Sequence, residues 1–456
     1  MQQIRSFTKQ ILFTLFFFAT SVFVYAQNKT AYELTVNGVK VIVQPSGNKI
    51  VEIQTLIRGG VQNYPANKAG IESLAMSALT ECGTAKDDKN SFKNKLDKVS
   101  AQINGSAGKD YSTFTLNCIQ SDLETVWPLY VDALTAPRFD VKEFERIKQD
   151  AINGIKAQAS QPDYAINKLA KETAFAGKDY AKAPEGTEEN VKALSAAETK
   201  GYYSAILTRS RLLIVIVGEL DKATIESKIQ ALLTTIPAGQ PFTLKKESYT
   251  PAKNTFTQEK KELATNYIQG VTGGPLPGTP DFNAFRIAMQ ILYDRHFLEV
   301  RTNNGLSYAP YTYFDGGTSP SANIVVSTTD PNKYIAVANK LIDKTRKEGF
   351  KPEELKDMKT TYVTSFFYKQ ETNAAQASSL AANEILHNNW RRSLTLNDDI
   401  KKLTTADLNR VFNKYITNIT WVYQGDPAKV NPELYKEKIG SKEKLPESKL
   451  TQQKKD

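Results

Sequence analysis

An internal repeat constrains this chain more than any other feature. Residues 138–158, RFDVKEFERIKQDAINGIKAQ, are paralleled by residues 349–369, GFKPEELKDMKTTYVTSFFYK, at an offset of 211 residues. Phe139 then pairs with Phe350, Glu143 with Glu354 and Lys148 with Lys359. The apolar run LLIVIVG, ending in Gly218-Glu219, likewise parallels WVYQGDP, ending in Gly425-Asp426. Amphipathic helices resemble one another by chance, but a shared order of strands, helices and closing strand is a stronger signal. The repeat predicts a duplicated α+β domain.

Length agrees, since about 430 residues after the N-terminal segment are too many for one core. The expected divisions are a signal at 1–26, a first domain at 27–236 and a linker rich in Pro, Lys and Thr at 237–262. A second domain at 263–440 and a polar, disordered tail at 441–456 complete the chain. In the first half, Asn37-Gly38 between YELTV and KVIVQ predicts a hairpin, because both central residues of that turn need positive φ. A strand at VEIQTLI, a helix over residues 70–84, a charged helix near 90–101 and the strand YSTFTLNCI follow. Long helices to about 176, a helix at 195–207, LLIVIVG and one last helix close the half.

Arg5, Lys9 and the apolar stretch ILFTLFFF precede Val24-Tyr25-Ala26, the pattern of a cleaved secretory signal. The apolar run is short and interrupted by Thr14 and Thr20, so no stable membrane anchor is expected. No Cys follows the cleavage point to carry a lipid, and an exported, periplasmic location is the expectation. Of 59 basic residues, Arg5 and Lys9 fall in the signal; the remaining 57 face 49 acidic ones, a net +8. They are interspersed with acids along the helices, which describes a solvated surface and not a nucleic-acid footprint. Cys82 and Cys118 permit a disulfide in an oxidising compartment, and two separate thiols fit equally well.

The sequence holds little catalytic machinery. His296 and His387 are 91 residues apart, and no H-x-x-H, H-x-x-E-H or C-x-x-C occurs. Both histidines read as surface or packing residues. There is no G-x-S-x-G elbow, and GGPLPG (273–278) reads as a strand-to-helix turn. The helix GIESLAMSALTECGT (70–84) buries Ile71, Leu74, Ala75, Ala78 and Leu79 as a stripe. The spacing predicts that its other face carries Ser73, Met76 and Ser77, in the i, i+3, i+4 arrangement that zinc peptidases fill with two ligands and a base.

Over residues 30–440 the chain resembles the insulinase and pitrilysin family of inverted-motif zinc peptidases, in particular its two-domain, processing-peptidase-like members. The resemblance implies two homologous α/β-roll domains, each an antiparallel-rich sheet with helices on one face, forming half of a clam-like chamber. It places the family's first His on Ser73, its general-base Glu on Met76 and its second His on Ser77. Counting 77 residues onward places the third ligand on Gly154. Anchoring instead on Gly83-Thr84 gives Leu74, Ser77, Ala78 and Ile155. Neither alignment leaves a metal ligand, so no zinc is expected in this chain.

DRHFLEVRTNNGLSYAPY (294–311) resembles the family's Arg and Tyr seven apart, here Arg301 and Tyr308 with Asn304-Gly305 as the turn. In the family such a pair contacts substrate near the scissile bond. The resemblance thus implies a non-catalytic subunit that lends a chamber wall and these two residues to a zinc-bearing homologous partner acting on peptides. A peptide-binding or scaffolding homodimer without proteolysis is the alternative.

Overall fold

The computed structural model describes residues 30–440 apart from Lys369; the expected signal at 1–26 and tail at 441–456 lie outside the described residues. The first half runs β1 (Tyr32–Val36), β2 (Val39–Gln44), β3 (Ile50–Arg58), α1 (Ile71–Glu81), α2 (Lys89–Asp97), β4 (Gln102–Ala107) and β5 (Tyr111–Ile119). It continues through α3 (Leu123–Thr135), α4 (Val141–Ala159), α5 (Pro162–Ala174), α6 (Glu188–Ala193), α7 (Ala196–Ile206), β6 (Leu212–Val217) and α8 (Lys222–Thr234). The second half runs β7 (Thr255–Lys260), β8 (Asn266–Gly273), α9 (Asp281–Phe297), β9 (Tyr311–Asp315), β10 (Ser321–Thr328) and α10 (Pro331–Glu348). It ends with α11 (Pro352–Tyr368), α12 (Asn373–His387), α13 (Arg392–Lys402), α14 (Thr405–Tyr415), β11 (Thr420–Gly425) and α15 (Pro432–Lys436).

The two sheets have orders β1-β2-β6-β3-β5-β4 and β7-β11-β8-β10-β9. Without the hairpin strand β1 they match strand for strand. In each, the closing strand (β6 or β11) lies parallel to one neighbour (β2 or β7) and antiparallel to the other (β3 or β8). Helices α4 and α5 begin at Val141 and Pro162, and their counterparts α11 and α12 at Pro352 and Asn373, each 211 residues on. The paired lysines do the same work. Lys148 Nζ donates to the Leu194 carbonyl at 3.2 Å, closing the C-terminus of α6, and Lys359 Nζ to the Leu403 carbonyl at 2.7 Å, closing that of α13.

The halves exchange helices. Along β6, Leu212, Ile214 and Ile216 face the helices of the first half, while Leu213, Val215 and Val217 face the other way. That second face is covered by Ala377, Leu380, Ala381 and Ile385 of α12, which belongs to the second half. Reciprocally, α5 of the first half packs on β8 and β11 of the second sheet. Lys171 of α5 reaches Asp315 and Ser321, both at 2.9 Å. Asn373 of α12 donates to the Ile50 carbonyl at 2.7 Å. Each sheet therefore has its own half's helices on one face, as expected, and a borrowed helix on the other, which the expectation lacked.

Asn37 and Gly38 have φ of 46° and 82°, the turn their sequence predicted. The expected linker, 237–262, contains β7 near its end; helix and strand are absent from 237–254 and 261–262. Strand β4 was not foreseen, because QINGSA is short and polar and lies at the sheet edge. Its Gly105 is needed there: a Cβ would stand 2.3 Å from the Met76 carbonyl oxygen. Of the two readings of the cysteines, the structure has separate buried thiols. His296 is buried with Nε2 3.1 Å from the Tyr334 hydroxyl, and His387 Nδ1 accepts the Gly278 N–H at 2.8 Å. Among the described residues no helix is long and apolar enough to cross a membrane.

Candidate functional site

Helix α1 is buried nearly all round. Only Ser73, Ser77 and Glu81 reach its surface, a strip at i, i+4, i+8. The strip faces α4 across a cleft of about 520 Å³ that is also lined by Leu74, Arg146, Asp150, Gly154 and Ile155. Ser73, Ser77 and Gly154 thus come together as the Gly70 registration requires, but Met76 does not join them. It is completely buried beneath the helix, against β4. The other registration fares alike: Leu74, Ser77 and Ile155 line the cleft while Ala78 is buried. The sequence placed Met76 on the open face because it counted spacing on one side of the helix; tight contact at Gly105 seals the i+3 position.

The chemistry of the cleft does not suit zinc. Ser73 Oγ donates to the Pro184 carbonyl at 2.9 Å, Ser77 is neutral, and Gly154 has no side chain. A Cβ at Gly154 would meet nothing within 4 Å, so a ligand there is missing by residue type and not excluded by space. The acids nearby are engaged: Arg146 binds Glu81 at 2.6 Å and Asp150 at 2.8 Å. Partial burial pushes Glu81 up, but hydrogen bonds from Lys93 and Arg146 outweigh it and hold the carboxyl below its ordinary range. Among the described residues, no three His, Cys, Asp or Glu are grouped to hold a metal.

Two features of this wall escaped the sequence reading. Arg146 is flagged by the E-x-x-R-x-x-x-D spacing of Glu143, Arg146 and Asp150, which puts all three on one face of α4. Glu72 is wholly buried and accepts hydrogen bonds from Ser112, Tyr202 and, at 3.1 Å, Asn63. Burial pushes its carboxyl up against those bonds. It pins α1 to β5 and α7, and a charge beside an apolar stripe was its only sequence signal.

Arg301 and Tyr308 lie in the second half. A π-helical turn, Leu298–Asn303, extends α9 and carries Arg301, whose guanidinium is sandwiched between the rings of Phe297 (4.9 Å) and Tyr308 (4.3 Å). Asn304 Nδ2 closes the turn on the Glu299 carbonyl at 3.0 Å, and Gly305 takes φ 60°. The chain then presents Tyr308, 80 % exposed, three residues before β9. No residue lining the α1–α4 cleft belongs to the second half, so the pair and the cleft are two places, not one.

The family profile described as "Insulinase (Peptidase family M16)" matches residues 40–188, and the one described as "Peptidase M16 inactive domain" matches residues 193–362. The chain belongs to the insulinase family. An uncharacterized zinc protease of Mycobacterium leprae is 18% identical over 340 residues, 70% of this insulinase-family chain and 74% of the relative. Human mitochondrial cytochrome b-c1 complex subunit 1 is 21% identical over 271 residues, 58% of this chain and 55% of that subunit. Among solved structures, a peptidase M16 inactive domain from Pseudomonas fluorescens superposes with a TM-score of 0.80 at 19% identity, covering 88% of this chain and all of that one. The periplasmic protease PqqL of Escherichia coli gives 0.76 at 16% identity, over 87% of this chain and 46% of its own. At these identities the structures establish the two-domain fold.

Proposed function

We propose that this chain is the non-catalytic subunit of an exported insulinase-family zinc peptidase. It supplies half of the chamber and the Arg301/Tyr308 pair, and a zinc-bearing homologue supplies the metal and cleaves peptides. The observation that carries the reading is the contrast between the two sites. The α1–α4 cleft brings Ser73, Ser77 and Gly154 together with no metal ligand among them and with Glu81 and Asp150 tied to Arg146, whereas Arg301 and Tyr308 are held together with their polar ends uncommitted. A guanidinium fork and a phenol hydroxyl are both donors, suited to a peptide carbonyl and to negative charge developing on it.

The deciding experiment is reconstitution with an exported homologue that carries an intact H-x-x-E-H. The pair should cleave a fluorogenic peptide that this chain alone leaves intact. A mixture no more active than the homologue alone would favour the second reading, a peptide-binding or structural scaffold. The resemblance to a cytochrome b-c1 complex subunit is what supports that alternative.

A further inference from the structure

A cleft of about 840 Å³ in the second half lies between α9, α11 and α12 over the edge strand β9. α12 has a divided role. Ala377, Leu380 and Ala381 bury one face in the first sheet, while Ser378, Ser379 and Asn383 turn the other toward this cleft. Because α11 is the repeat partner of α4, the cleft is the second half's counterpart of the α1–α4 cleft. Its chemistry is different.

Arg286 and Arg392 line it, and among the described residues no Asp or Glu does. Arg286 stacks on the Phe282 ring at 4.9 Å, and its guanidinium has no ion pair or hydrogen bond among the described residues. Arg392 reaches Asn283 Oδ1 only at 3.4 Å, and its Nε is buried without a partner. The acids close by are already spent. Asp281 is bound by Arg410 at 2.6 Å and Lys414 at 2.8 Å, and Glu384 by Lys40 at 2.6 Å. His387, which also lines the cleft, reports the resulting field: burial, Arg392, Arg286 and Lys246 push its pKa down to about 3. It stays neutral and lends the two arginines no counter-charge.

The rest of the lining suits a peptide. Gln290, Gln370 and Asn383 offer amides, Tyr362 and Phe366 offer rings, and the rim of α11 leaves Phe367 and Tyr368 63 % and 68 % exposed. β9 pairs with β10 on one side only, so backbone groups at its other edge are open. The cleft shares Arg286 with a second one of about 520 Å³ that leads to the Gly316-Gly317 turn between the halves; its acids, Asp110 and Asp315, are held by Tyr180 and Thr318 and by Lys171. Arg286 stands at the junction.

We propose that this cleft binds the carboxylate of an acidic peptide, with Arg286 and Arg392 as its charge partners. Two guanidinium forks line one cleft into which, among the described residues, no carboxylate projects, and such a pair recognises an anion strongly. The site is distinct from Arg301/Tyr308, and its binding does not depend on a zinc-bearing partner.

The test uses the chain from residue 27 onward and short fluorescein-labelled peptides followed by anisotropy. A Glu-containing peptide should bind, and binding should weaken as salt is raised. Replacing Glu by Gln, or amidating the C-terminus, should lower affinity roughly ten-fold or more at whichever carboxylate is held, which tells side chain from terminus. Arg286→Gln should bring a similar loss, and Arg286→Lys should recover part of it. Arg286 touches little besides the Phe282 ring, so its variants should unfold at an unchanged temperature; Arg392→Gln is the second probe. Equal binding of acidic, Gln-substituted and amidated peptides, or full affinity in Arg286→Gln, would overturn the proposal.

Discussion

The Arg301 guanidinium lies 4.3 Å from the centroid of the Tyr308 ring, and among the described residues neither side chain has a carboxylate or hydrogen-bond partner. Tyr308 is also 80 % exposed, so the contact contributes only about 0.5–1 kcal/mol to the fold. Arg301→Ala and Tyr308→Phe should therefore hardly alter the thermal midpoint. In the reconstituted pair both should lower peptide turnover, up to roughly 10²-fold if a donor is aimed at developing charge and less if it only positions substrate. Light scattering and metal analysis should show the complex and the partner's zinc intact. Unchanged turnover in both variants would make the pair structural.

Lys171 and Asp315 join the two halves through the exchanged helix α5. Lys171 is 7% exposed, so Lys171→Ala removes the ion-pair partner of Asp315, leaves only the field of Lys109 beside it and should cost up to about 3 kcal/mol. Adding Asp315→Ala should cost less than the two single losses combined, a coupling that a double-mutant cycle measures. Because each half covers the other's sheet, calorimetry should show one unfolding transition. Two well-separated transitions would mean that the exchange does not bind the halves together.

Much of this architecture could be read from the residues. Asn37-Gly38 named its turn, and the paired lysines at 148 and 359 named the duplication. The continuous apolar run Leu212–Val217 marked a buried closing strand. What covers the second face was not legible, since the apolar stripe of α5 or α12 does not say which sheet it meets. Met76 failed for a related reason. Helical spacing puts residues 73, 76 and 77 on one side, but the width of the exposed strip is set by a neighbouring strand through Gly105.

Gly154 is exposed in the middle of α4, with open space where its side chain would be. Gly154→Ala should raise stability by about 0.5–1 kcal/mol in chemical denaturation. A variant combining Ser73→His, Ser77→His and Gly154→Glu should acquire zinc, since those positions share one cleft and two histidines at i, i+4 suit the metal. It should stay inactive, because position 76 is buried and offers no base. Failure to gain zinc would mean that the cleft has lost its geometry as well as its donors.

His296 sets a pH dependence. Burial lowers its pKa from 6.5 to about 3, so between those values the unfolded chain binds a proton that the folded chain does not. Stability is complete above pH 6.5 and should fall below it by on the order of 1.4 kcal/mol per pH unit. His387, also held to about 3, acts in the same direction. In His296→Gln the slope of denaturant-measured stability between pH 6.5 and 5 should be shallower by about one proton. An unchanged slope would show that His296 titrates normally.

As proposed, this chain brings a substrate-handling surface to a partner that holds the catalytic metal. Metal analysis of the purified chain after incubation with zinc and dialysis, alongside a peptide-cleavage assay with and without chelator, tests it most directly. Zinc should stay well below one per chain, with no chelator-sensitive cleavage. A tightly held, stoichiometric zinc with chelator-sensitive cleavage by the isolated chain would contradict it.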